Sequence, residues 1–137
     1  MKKLPNWESM FHSFLENNNF SFEWGKNDCC KFSNALIYEM TGENLIPKSL
    51  KWHDEKSAMK AIESYGGNIE SSIEKACTEK NVGEINKAFM TCGDLVVYKQ
   101  EGSYLVGMCS GYSILSPTDD GINVVNNDLA HRVWRID

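Results

Sequence analysis

Apolar positions along the chain follow two different rhythms, and the change falls near residue 83. Before that point they recur every three to four residues, the spacing that lays one stripe of a helix against a core. After it they alternate or gather in short β-rich runs. Trp7, Phe11, Phe14 and Leu15 form one helical stripe, opened by Pro5-Asn6 and closed by Asn17-Asn18-Asn19. The segment Phe20-Ser21-Phe22-Glu23-Trp24 then leads into Gly25. Asp28 can cap a second helix, because its carboxylate accepts from the free amides of a first turn. Phe32, Ala35, Leu36 and Met40 give that helix its buried stripe, and Gly42 stops it. A third helix opens at Asp54, carries Ala58, Ala61, Ile62 and Tyr65, and closes at Gly66-Gly67. Ile69, Ile73, Ala76 and Cys77 predict a fourth, ending near Lys80.

The second half reads as strands. Leu95-Val96-Val97-Tyr98 is one and residues 104–109 are another, joined by the glycine-bearing turn Gln100-Glu101-Gly102-Ser103. Residues 112–116 follow, then the turn Pro117-Thr118-Asp119-Asp120-Gly121, a strand over 122–125 and a terminal strand over 133–136. Residues 84–88 can add one at the start. Helices first and an antiparallel meander second make an α+β domain. The 137 residues contain no repeat or linker, so one domain is expected over 1–137, helical over about 5–82 and β over about 83–137.

Composition narrows the classes. With 42% hydrophobic and 24% charged residues, the chain is not a disordered one. No apolar run approaches the roughly 18–20 residues of a membrane span. Fourteen basic residues against nineteen acidic ones leave a net charge of −5, which argues against a nucleic-acid partner. Met1-Lys2-Lys3 is not followed by the apolar stretch of an export signal, so none is expected. Five cysteines without framework spacing suit a reduced compartment, and a virion component made in the cytosol would have the same composition.

The stretch from Phe22 to Phe32 carries the most chemistry. A cysteine in the first turn of a helix feels the positive end of the helix dipole, and free amides there favour a thiolate and can hold an oxyanion. Cys29 is therefore a candidate nucleophile, with a small buried core residue as the other reading, and the core reading is stronger for Cys30. Trp24 and Gly25 just before the turn can shape a cleft. Trp7, Phe11, Trp24, Phe32 and Trp134 read as core packing, with a binding cleft as the alternative.

Four stretches resemble a known family. Asp28-Cys29-Cys30-Lys31-Phe32 looks like the motif that opens the central helix of the NlpC-type papain-like cell-wall cysteine peptidases. Gly93-Asp94-Leu95-Val96-Val97-Tyr98 is similar to their first barrel strand, and Leu105-Val106-Gly107-Met108-Cys109-Ser110-Gly111 matches the spacing of the next. Ala130-His131-Arg132-Val133-Trp134-Arg135-Ile136 resembles the ending of a phage-tail-associated branch of this superfamily, called only a domain of unknown function. The resemblance spans about residues 7–136. It implies a papain-like fold in which the Cys29 helix packs on a C-terminal antiparallel sheet or small barrel. It also implies a cleft lined by Trp24, Asp28, Cys30 and Leu105. The family's base histidine opens the second strand, where this chain has Leu105, and its orienting polar residue lies on the following strand, where Ser113 is the candidate.

Three histidines remain. His12 reads as a solvated residue on the polar side of the first helix, while His53, after Trp52, and His131, at the start of the last strand, are base candidates. No metal site is expected, since Cys77, Cys92 and Cys109 are isolated and read as packing, and no cofactor motif occurs. Asp119-Asp120 reads as turn chemistry and Asp54-Glu55-Lys56 as a solvated first helical turn. The expectation is a phage tail or tail-tip protein, virion-located after synthesis in the host cytoplasm, with impaired or absent catalysis and tail proteins or peptidoglycan as partners. The alternatives are an active peptidase or amidase acting on peptidoglycan stem peptides with Cys29 as nucleophile and His53 or His131 as base, and a small phage protein that binds and inhibits a host protein.

Overall fold

Side-chain caps fix where the second, third and fourth helices begin. In the computed structural model, which describes residues 1–18 and 21–137, the helices are α1 (Trp7–Asn17), α2 (Cys29–Thr41), α3 (Glu55–Tyr65) and α4 (Ile69–Glu79). The expected helix end at Asn19 and the segment start at Phe20 lie outside the described residues. Asp28 caps α2 by accepting the Lys31 amide at 2.9 Å, and Gly42 ends it with φ 79°. Asp54 and Ser57 form a reciprocal capping box on α3: the Ser57 amide donates to the carboxylate at 2.8 Å, and the Asp54 amide donates to the Ser57 hydroxyl at 3.1 Å. Asn68 caps α4 through the Ser71 amide at 2.8 Å.

Six strands follow: β1 (Gly83–Ile85), β2 (Leu95–Gln100), β3 (Ser103–Cys109), β4 (Ser113–Thr118), β5 (Gly121–Asn126) and β6 (Ala130–Arg135). Together with the helices they form an α+β fold with one antiparallel sheet in the order β1-β6-β2-β3-β4-β5. Strands β2 to β5 are a meander, but β6 returns to lie between β1 and β2. The terminal strand is thus an inner one, with Val133 and Trp134 buried on opposite faces of the sheet.

Several boundaries differ from the sequence expectation, three of them by more than a residue or two at a turn. The first strand is only Gly83–Ile85, because Asn86 accepts the Ala88 amide at 2.9 Å and turns the chain into a 3₁₀ turn, Lys87–Phe89. Strand β6 starts at Ala130 rather than 133. Strand β4 includes Pro117 and Thr118, which the sequence assigns to a turn. It pairs with β3 only at Ile114 and Leu115, so beyond Leu115 one side of β4 has left the ladder and a proline there breaks no inner pairing.

The sheet is buried on both faces. One face packs Leu95, Val97, Val106, Met108 and Trp134 against Phe11, Phe32, Leu36 and Met40 of the helices. The other gathers Val96, Tyr98, Cys109, Ile114 and Val133. That is why Leu95 to Tyr98 reads as an unbroken apolar run rather than an alternating one. At Gly107 a β-carbon would stand 2.7 Å from the Leu115 carbonyl oxygen, so the glycine lets β3 and β4 meet. Among the described residues, no helix is long and apolar enough to cross a membrane.

Candidate functional site

The site is organised by one buried carboxylate. Asp28, 1% exposed, accepts three hydrogen bonds: from the Lys31 amide and the Gly25 amide, each at 2.9 Å, and from the Trp52 indole N–H at 2.6 Å. The first caps α2. The second closes the turn over residues 23–27, and the third pulls in the segment between α2 and α3. Gly25 has φ +81°, and a β-carbon there would stand 2.7 Å from the Trp52 carbonyl oxygen. A glycine is needed for the two segments to touch.

Trp24, Trp52, Asp28, Cys29 and Cys30 thereby line one side of a cleft of about 650 Å³. Glu55, Met59 and Glu63 of α3 line another wall, and Ser103, Tyr104 and Leu105 of β3 complete it. The structure thus brings Trp24, Asp28, Cys29, Cys30 and Leu105 together. Trp52 and the α3 residues were missed in the sequence. Glu55, Met59 and Glu63 do carry a signal, a second helical face at i, i+4 and i+8.

Cys29 is the first residue of α2. Its thiol is held below the usual thiol range, chiefly by a hydrogen bond from the Cys30 thiol. Burial opposes this, the Val106 amide supports it, the Asp28 charge opposes it and the Cys30 amide supports it. The Cys30 thiol is pushed well up by its role as donor to Cys29 and by burial. The Val106 amide is available because β3 meets β4 only at Met108 and Cys109, leaving it outside that ladder. The Ser116 hydroxyl, buried on β4, donates to the Val106 carbonyl at 3.3 Å. Tyr98, paired with Leu105 across β2 and β3, is a buried phenol raised above its usual range by burial, with Ser116 opposing and the Cys29 charge adding to it.

The base and orienter candidates lie elsewhere. None of the three histidines lines the cleft. The His53 side chain is 84% exposed, with Nε2 3.5 Å from an Asp54 carboxylate oxygen. Its neighbour Trp52 is the residue turned inward by Asp28, while the His53 amide donates to the Ser57 hydroxyl at 3.0 Å at the start of α3. His131 Nε2 is 3.0 Å from Glu70 Oε1, and its ring packs 5.0 Å from that of Tyr104. Arg132 reaches the same Glu70 oxygen at 3.3 Å. His12 is exposed on α1, edge-on to Phe11. Ser113 Oγ is 3.1 Å from Ser110 Oγ in the β3–β4 turn, away from the cleft lining.

Cys77 and Cys109 are buried, Cys92 is half-buried, and none of them lines the cleft. Burial pushes the Cys77 thiol up to about 12. Among the described residues, no group of three or more histidine, cysteine, aspartate or glutamate side chains is placed to hold a metal ion. The cleft thus places a thiolate-prone sulfur alongside two tryptophans and α3.

A family described as "Domain of unknown function (DUF6950)" matches the chain over residues 2–136. No curated protein matches it.

Proposed function

The chain belongs to the DUF6950 family, and we propose, on the resemblance of its sequence stretches, that it is a phage tail or tail-tip protein with an NlpC-type papain-like cleft that binds peptide without hydrolysing it. The observation that carries this reading is the pairing of Cys29 with Leu105 in a cleft whose lining contains no imidazole. A thiolate can attack an amide, but the tetrahedral intermediate expels the amine only when a proton reaches it. Leu105 has none to give. Cys30 is pushed well up, and Tyr98 is buried outside the cleft lining. The assignment to a phage tail rests on the resemblance of the four sequence stretches.

The lowered Cys29 thiol is the one observation that favours the alternative, an active peptidase with His53 or His131 as base. That alternative needs a proton donor in the cleft, whereas His53 lies beside Asp54 and His131 beside Glu70. The test is incubation of the purified protein with peptidoglycan and its stem peptides. Wild type and Cys29→Ala are expected to release the same background of fragments, and mass spectrometry of purified virions is expected to find the protein in them. Turnover that Cys29→Ala abolishes would overturn the reading.

A further inference from the structure

Two cysteines stand side by side at the start of α2, as its first and second residues. Both are half-buried and both line the cleft, so a small solute in the cleft can reach them. The Cys30 thiol donates a hydrogen bond to the Cys29 sulfur, which keeps the two sulfurs within hydrogen-bond reach of each other. The remaining cysteines are placed differently. Cys77 and Cys109 are buried, Cys92 is half-buried outside the cleft, and burial pushes each of these thiols up. A thiol that ionises early, meets solvent and has a second thiol beside it is the combination that oxidants attack and a neighbouring sulfur resolves.

We propose that Cys29 and Cys30 are an oxidation site that closes reversibly to a disulfide between neighbouring residues and, on closing, releases the cap of α2. The oxidant is a hydroperoxide such as hydrogen peroxide. The Cys29 thiolate attacks one peroxide oxygen, the O–O bond breaks, and the departing hydroxide takes a proton and leaves as water. Cys29 is then a sulfenic acid. The Cys30 sulfur attacks the Cys29 sulfur, the S–O bond breaks, and the Cys30 proton leaves with the hydroxyl as a second water. The two sulfurs lose two electrons and the peroxide gains them. The first step also eases the second. The Cys30 thiol is held up by its bond to Cys29, then by burial and by the Cys29 charge, and a neutral sulfenic acid carries no such charge. Adjacent helical side chains diverge by about 100°, whereas a disulfide holds its Cβ atoms about 3.5–4.5 Å apart. Closure therefore pulls the first turn of α2 out of helical geometry. That turn holds the Lys31 amide on the Asp28 carboxylate at 2.9 Å and the Phe32 amide on the Asp28 carbonyl at 2.8 Å. The same carboxylate holds Trp52, so oxidation loosens the cleft wall that Asp28 builds, whether or not the cleft takes a peptide.

Treatment of the whole protein with stoichiometric hydrogen peroxide, followed by peptide mapping, tests this. The peptide carrying both cysteines is expected to lose two hydrogens and to regain them with dithiothreitol, while Cys77, Cys92 and Cys109 stay reduced. In Cys30→Ser and in Cys30→Ala the oxidation should stop at a sulfenic acid on Cys29, which dimedone traps. Hydrogen exchange at the Lys31 and Phe32 amides is expected to quicken by about tenfold in the oxidised protein and to slow again on reduction. The proposal is overturned by no reaction at Cys29, by oxidation of Cys92 as fast as that of Cys29, or by a dimedone adduct as abundant in wild type as in Cys30→Ser. A disulfide that leaves exchange at Lys31 and Phe32 unchanged would overturn its link to the cap.

Discussion

Asp28→Ala is expected to lower stability by about 3–4 kcal/mol and to open the cleft. The substitution removes the cap of α2, worth about 1 kcal/mol, and leaves the Gly25 amide and the Trp52 indole N–H without their acceptor. Hydrogen bonds to a charged acceptor contribute about 1.5–3 kcal/mol each, and water can re-solvate part of what is exposed. Urea denaturation followed by intrinsic fluorescence measures the loss. The same variant frees the segment carrying Trp52 and removes the charge that opposes the Cys29 thiolate, so the Cys29 ionisation should not move to higher pH in the folded state. A cost below about 1 kcal/mol would show that Asp28 is an ordinary solvated cap.

Arg135→Ala is expected to cost about 3 kcal/mol, through the carboxylate it leaves behind. Asp94 is fully buried and receives Arg135 Nε at 3.1 Å and Nη2 at 2.9 Å, with the Thr91 amide at 2.8 Å. Arg135 also donates to the Phe89 carbonyl at 2.7 Å, so one side chain ties β6 to the entry of β2. Removing it strands a buried charge. The double variant Asp94→Leu/Arg135→Leu should therefore recover most of the loss, since no unpaired charge remains buried. Thermal denaturation of both variants separates this from simple loss of contact area. A double variant as unstable as the single one would contradict the account.

These two carboxylates show how far the sequence reaches. The cap role of Asp28 was readable from its place before an apolar helical stripe. Its bond to Trp52 was not, because that partner is 24 residues away. Trp52 and His53 are neighbours in sequence, and nothing local says which turns inward; the acceptor on Asp28 and the box at the start of α3 decide it. Gly93 and Asp94 were legible as the entry to a strand, but the partner of Asp94 lies 41 residues further on. The return of β6 between β1 and β2 was invisible for the same reason, since strand order is a matter of distant pairing. Ser113 and Ser116 differ by an odd number of residues and so face opposite sides of β4. Choosing between them required the register, and the structure joins Ser116 to the Val106 carbonyl of β3.

The central claim is a cysteine tuned toward its thiolate with no imidazole to work with, and the pH profile of its alkylation tests it most directly. Below its lowered ionisation point Cys29 is a neutral, slow thiol, and above it the thiolate reacts with iodoacetamide. Mass spectrometry resolves the rate at each cysteine. The predicted result is one ionisation at Cys29, at lower pH than that of Cys92, whose thiol burial pushes up, and unchanged in His53→Ala and His131→Ala. A second inflection in the histidine range that either substitution removes, or a Cys29 that ionises no earlier than Cys92, would contradict it.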